Sequence, residues 1–140
     1  MDSGLRLHHI GFVVPEIAAS IDGFARSLAA TWDGCTWDDP RQKVKVAFLA
    51  TRPGEAQIEL VEPAGEDSPV ARFLKEKGSG LHHVCYEVDD LEAELAAMKS
   101  RGAWIAQRPT PAVAFQGRRI AWLITHEKLL VELLETGPTE

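Results

Sequence analysis

Histidine occurs five times in the 140 residues of this chain, and four of the five fall in two doublets, His8–His9 and His82–His83. Each doublet follows a leucine and precedes a β-branched residue, in "LHHIG" and "LHHVC", 74 residues apart. Two further residues share the pattern. Glu59 sits in "IELV" and Glu132 in "VELL", 50 and 49 residues after His9 and His83. A carboxylate flanked by aliphatic residues is costly to bury unless a positive charge meets it. Two imidazoles with two carboxylates suit a divalent ion of the zinc, cobalt, nickel, manganese or iron type, with positions left for water or substrate. The expected metal ligands are therefore His9, Glu59, His83 and Glu132.

The elements that must position these groups are themselves duplicated. A shift of 74 lays Leu7, His8, His9 and Ile10 on Leu81, His82, His83 and Val84, and also lays Val14, Ile17, Ile21 and Phe24 on Val88, Leu91, Leu95 and Met98. In each copy the first stretch alternates with the period of a strand, with Ile10, Phe12 and Val14 on one face and Val84, Tyr86 and Val88 on the corresponding one. Neighbouring strand residues point to opposite faces, so His8 and His9 cannot share a job, nor can His82 and His83. His9 shares its face with Gly11, and His83 shares its face with Cys85 and Glu87. That face reads as the floor of a cavity, and His8 and His82 are left with structural roles or as hydrogen-bond donors behind the ligands.

After each strand the period lengthens. Ile17, Ile21, Phe24 and Leu28 make one helical stripe, and Leu91, Leu95 and Met98 make another. Pro15 suits the first turn of the first helix, Asp89 or Asp90 caps the second, and Gly102 ends it. Strands follow from Val44 and Ala56, with a turn at Arg52–Gly54, and from Arg119 and Leu129; weaker ones are expected at Trp104–Ala106 and Ala112–Phe115. Each half reads β-α-β-β-β. Between them Ser68–Pro69 starts and Gly78 stops a packed linker helix. The expected organisation is one α+β domain over 1–140, with module 1 at 5–63, the linker helix at 67–78 and module 2 at 80–136.

Composition sets outer bounds. A net charge of -6 argues against a phosphate-backbone partner, so no nucleic acid is expected. No apolar run approaches a membrane span, and the N-terminus lacks the pattern of a secretory signal, so the chain is expected to be cytoplasmic. Cys35 and Cys85 are too few and too distant for a disulfide framework. His126 has no counterpart in the repeat and is expected at the surface. The basic groups Arg41, Lys43 and Lys45, and Arg118 and Arg119, are candidates for gripping a small anion.

These motifs resemble the vicinal oxygen chelate superfamily, which includes glyoxalase I, extradiol dioxygenases and antibiotic-resistance proteins. "HHIGFVV", "QIELVEP", "GLHHVCYEVDDL" and "LLVELLE" occupy the positions of its pattern over nearly the whole chain. The resemblance implies two βαβββ modules forming a half-barrel cleft around a metal site, held by His9, Glu59, His83 and Glu132. The stretch "EDSPVARFLKEKGSGLHHVCYEVDDLEAELAAMKSRG" is most similar to the methylmalonyl-CoA epimerase group. It implies a metal-dependent isomerase that removes a proton next to the carbonyl of an anionic acyl-CoA thioester such as methylmalonyl-CoA, and a homodimer. Glu132 is the implied base. Lys45, Glu87 and a metal-bound water are candidates for the second acid/base, and Arg41 or Lys43 for holding an acidic tail. A glyoxalase-like lactoylglutathione lyase and a non-catalytic ligand-binding protein are the alternatives. The sequence departs from the epimerase group at Val46, the residue nearest the place where that group can carry a proton-transfer glutamate.

Overall fold

Alternating burial along residues 6–13 marks the first strand, β1 (Arg6–Val13), and the same alternation recurs in its repeat, β6 (Gly80–Val88). The computed structural model describes residues 4–137. Two compact units divide the chain: residues 9–82 form one, and the residues up to His8 join those from His83 onward in the other.

In the unit of residues 9–82, β1 is followed by α1 (Ile17–Leu28), β2 (Thr31–Trp32), β3 (Trp37–Asp39), β4 (Val44–Ala50), β5 (Gln57–Pro63) and α2 (Pro69–Lys77). β5 pairs in parallel with β1 and antiparallel with β4. β2 and β3 both pair antiparallel with β4, at Leu49–Ala50 and at Val44–Val46, so they act as one strand interrupted at Asp33–Thr36. Alternation decides which face is covered. Val14, Ile17, Ile21, Ala47, Leu49 and Leu60 are buried together, with Phe12 and Phe24 against them at a ring separation of 5.3 Å.

The start of α1 is held from a distance. Its N-cap residue, Glu16, makes no side-chain cap, and Oε1 of Glu62 on β5 instead accepts the Ile17 N–H at 2.7 Å. That satisfies one of the orphan donors of the first turn and places an anion at the positive end of the helix. Pro15 thus lies before the cap, outside the helix. The apolar stripe also stops early: Leu28 is 42% exposed, because the last turn of α1 runs past the edge of the core. α2 behaves as its ends predict, since Ser68 Oγ accepts the Val70 N–H at 3.3 Å and Gly78 closes the helix with φ of 77°.

The other unit repeats this order. β6 is followed by α3 (Leu91–Ser100), β7 (Trp104–Pro111), β8 (Arg119–Ile124) and β9 (Leu130–Glu135). β9 pairs in parallel with β6 and antiparallel with β8, and β8 pairs antiparallel with β7. Asp90, rather than Asp89, caps α3 by accepting the Ala93 N–H at 3.0 Å. Val88, Leu91, Leu95, Ala103, Ala121, Leu123, Val131 and Leu133 form the core, joined by Tyr86 and Met98.

Two expectations change here. β7 runs to Pro111 rather than ending at Ala106. Val113–Phe115, within the stretch read as a further strand, is a single 3-10 turn, closed by the Gly117 N–H on the Ala112 carbonyl and followed by left-handed Gln116. The turn drives Phe115 inward, to 5% exposure, where its ring meets His8 edge-on at 5.4 Å. Burying that one ring outweighs extending the strand. Among the described residues, no helix is long and apolar enough to cross a membrane.

Candidate functional site

Strand parity puts His9, Gly11 and Val13 on the face of β1 turned away from α1. It is the more enclosed face: His9 and Val13 are both 0% exposed. In the parallel β1–β5 register Gly11 stands opposite Glu59, so Glu59 shares the face with His9, one step along it. Its Oε1 lies 3.3 Å from His9 Nε2. On the other side Glu59 stands opposite Phe48 of β4, whose ring meets the His9 imidazole at 5.4 Å and 72°.

The second unit builds the same group from the same register. Cys85 stands opposite Glu132 in the parallel β6–β9 pair, and Glu132 Oε1 lies 3.4 Å from His83 Nε2. Trp122 of β8 stands opposite Glu132, and its ring meets the His83 imidazole at 4.8 Å and 82°. His83 and Glu132 are each 4% exposed and Glu59 is 6% exposed. Edge-to-face aromatic contacts of this kind contribute about 0.5–1.5 kcal/mol beyond the area they bury.

The donor chemistry fits a cation. Each pair offers an imidazole nitrogen and a carboxylate oxygen, both withdrawn from water, and a buried carboxylate demands a positive partner. Two atoms bound about 2.1 Å from one ion at a roughly tetrahedral angle stand about 3.4 Å apart. The His–Glu separations of 3.3 and 3.4 Å match that spacing.

The other histidines go elsewhere. His8 packs on Phe115, His82 packs edge-on against Phe73 of α2 at 5.0 Å, and His126 is exposed. Cys85 is fully buried on the His83 face of β6.

Of the groups expected to supply a second acid/base, neither is well placed. Lys45 shares a face of β4 with Ala47 and Leu49, which pack under α1, and stands opposite Glu62; Phe48 points the other way. Glu87 lies on the His83 face, but its Oε2 accepts from Arg118 Nη1 at 2.7 Å and Arg6 approaches its Oε1 at 3.7 Å. Most of the basic clusters also meet carboxylates of the chain. Lys43 binds Asp67 at 2.7 Å and holds its carboxyl below the usual range, and Arg119 bridges Glu92 and Glu135. The Arg119 guanidinium lowers the Glu135 carboxyl too, chiefly by direct hydrogen bonding.

Phe48 and Trp122 are the residues that reading for ligands missed. A signal existed, since they too are 74 residues apart. An aromatic in a strand reads as ordinary core, which masks that signal.

Residues 8–122 match the model of the Glyoxalase/Bleomycin resistance protein/Dioxygenase superfamily. The chain is 36% identical over 119 residues to an ethylmalonyl-CoA/methylmalonyl-CoA epimerase of Cereibacter sphaeroides, covering 84% of this chain and 87% of that one. Its fold is similar to that of the methylmalonyl-CoA epimerase of Mycobacterium tuberculosis, with a TM-score of 0.85 at 26% identity over 99% of this chain and 93% of the other. A methylmalonyl-CoA epimerase solved in complex with methylmalonyl-CoA and ammonium gives a TM-score of 0.81 at 26% identity, with 99% of both chains covered. With its two βαβββ modules and a family match over most of its length, the chain belongs to the Glyoxalase/Bleomycin resistance protein/Dioxygenase superfamily.

Proposed function

We propose that this protein is a metal-dependent epimerase that inverts the carbon next to the carbonyl of an acyl-CoA thioester of the methylmalonyl-CoA type. One observation carries the reading: the His–Glu pair is built twice, in the same strand register, with the same donor spacing. Each buried carboxylate needs a positive partner, and the two pairs together offer the two imidazoles and two carboxylates of a shared ligand set. The named relatives supply the substrate class.

In this reading His9, Glu59, His83 and Glu132 hold one divalent cation. A cation held there would supply Lewis-acid stabilisation of the charge that develops on the thioester oxygen as the α-proton leaves. Glu132 accepts that proton on a carboxylate oxygen. Trp122 and Phe48 wall their sides of the carboxylates with apolar surface, which excludes water and strengthens local electrostatics. His8 packs on Phe115 and His82 on Phe73, and neither belongs to the two pairs.

Deuterium exchange tests the reaction. The purified protein loaded with cobalt(II) should exchange the α-hydrogen of methylmalonyl-CoA with solvent deuterium. A metal-loaded protein that leaves this position unlabelled would refute the epimerase. One observation favours a lyase as the runner-up: Val46, 4% exposed and opposite Val61, puts an apolar side chain where the epimerase group can carry a glutamate. Turnover of methylglyoxal with glutathione, without exchange on the thioester, would select it.

A further inference from the structure

We propose that Phe48 and Trp122 are positioning residues that set the ring planes of His9 and His83 for ligation, an inference that rests on the metal reading above. An imidazole turns about its Cβ–Cγ bond in a broad, roughly two-fold well, so something must hold the plane in which its nitrogen lone pair lies. Ligand histidines commonly receive that restraint from a neighbouring group, and losing it costs metal affinity. Here an aromatic ring stands edge-to-face against each imidazole, at 5.4 Å and 72° for Phe48 and at 4.8 Å and 82° for Trp122. Turning the imidazole would break that geometry or drive its edge into the neighbouring ring.

The placement is systematic. Each aromatic stands directly opposite the glutamate of its own pair, Phe48 against Glu59 and Trp122 against Glu132. Directly opposed residues in antiparallel strands have Cβ atoms about 4.5–5.5 Å apart, so each ring borders both donors of its pair. The repeat thus copies three side chains, an imidazole, a carboxylate and a ring. The rings differ in kind and agree only in being aromatic, which points to the contact as the copied property.

Cobalt(II) titration of the full chain tests this. Phe48→Leu and Trp122→Leu keep apolar bulk and remove the ring; Phe48→Trp and Trp122→Phe keep a ring. The leucine variants should bind cobalt(II) at least about 10-fold more weakly and shift its visible absorption bands, while the aromatic exchanges stay within a few-fold of the parent. A purely structural role would lower the metal-free melting temperature yet leave the bands unmoved. Leucine variants with parental affinity and bands would overturn the proposal, as would aromatic exchanges that lose as much as leucine. Failure of the unaltered chain to bind cobalt(II) would overturn the metal reading, and this one with it. Should Trp122→Leu not fold, Phe48→Leu at the smaller ring decides the matter.

Discussion

His83 Nε2 on β6 lies 3.4 Å from Glu132 Oε1 on β9, with both residues 4% exposed. A carboxylate so enclosed is committed to its partners. Glu132→Gln keeps the shape and removes the basic oxygen. It should slow α-proton exchange by at least about 100-fold, the usual worth of a placed general base, with the circular dichroism unchanged. Exchange within a few-fold of the parent would remove Glu132 from the reaction.

Chelation should act on stability as well as on activity. A ligand present at a hundred times its Kd adds about 2.7 kcal/mol, which for a chain of 140 residues is roughly 5–10 °C in Tm. Removal of metal should therefore lower the calorimetric Tm by that order. His9→Ala and His83→Ala should each abolish the difference if, as proposed, both belong to one ligand set. Loss in one variant and retention in the other would mean that the two pairs do not serve one ion.

Lys45 should be dispensable for proton transfer. It stands on the α1 side of β4, opposite Glu62. Lys45→Gln is expected to change the exchange rate less than twofold, and a large loss would put its ammonium in the reaction after all.

Glu62 should matter for folding instead. Its Oε1 caps α1 through the Ile17 N–H at 2.7 Å. Glu62→Ala leaves that donor without its partner and should cost about 1 kcal/mol, read as a fall of a few degrees in Tm. No change in Tm would show that solvent serves the helix end equally well.

Glu135 gives a pH signature. Arg119 holds its folded-state pKa below the ordinary value, so its contribution is present above the unfolded pKa and is lost as the pH falls through the folded one. Glu135→Gln should melt lower than the parent at pH 7, and the gap should close as the solution is acidified through the carboxylate range. A gap that persists in acid would assign the effect to packing rather than charge.

How much of this was legible in the chain follows from the range of each interaction. Strand alternation and helical spacing are local, so the repeat, the face shared by His9 and Gly11, and the α2 start at Ser68–Pro69 could be read from neighbours in sequence. The matched intervals from each histidine to its glutamate made the two pairs visible too. Register between strands is not local. That Glu59 stands opposite Gly11 and Phe48, and Glu132 opposite Cys85 and Trp122, depends on how distant segments align, and only the assembled sheets decided it. The same holds where the reading changed: Glu62 reaches across from β5 to cap α1, Leu28 runs past the core, Lys45 turns toward the helix, and Phe115 pulls an expected strand into a turn. In each case burial or hydrogen bonding with a remote partner outweighed the local preference, and that partner exists only once the chain has folded.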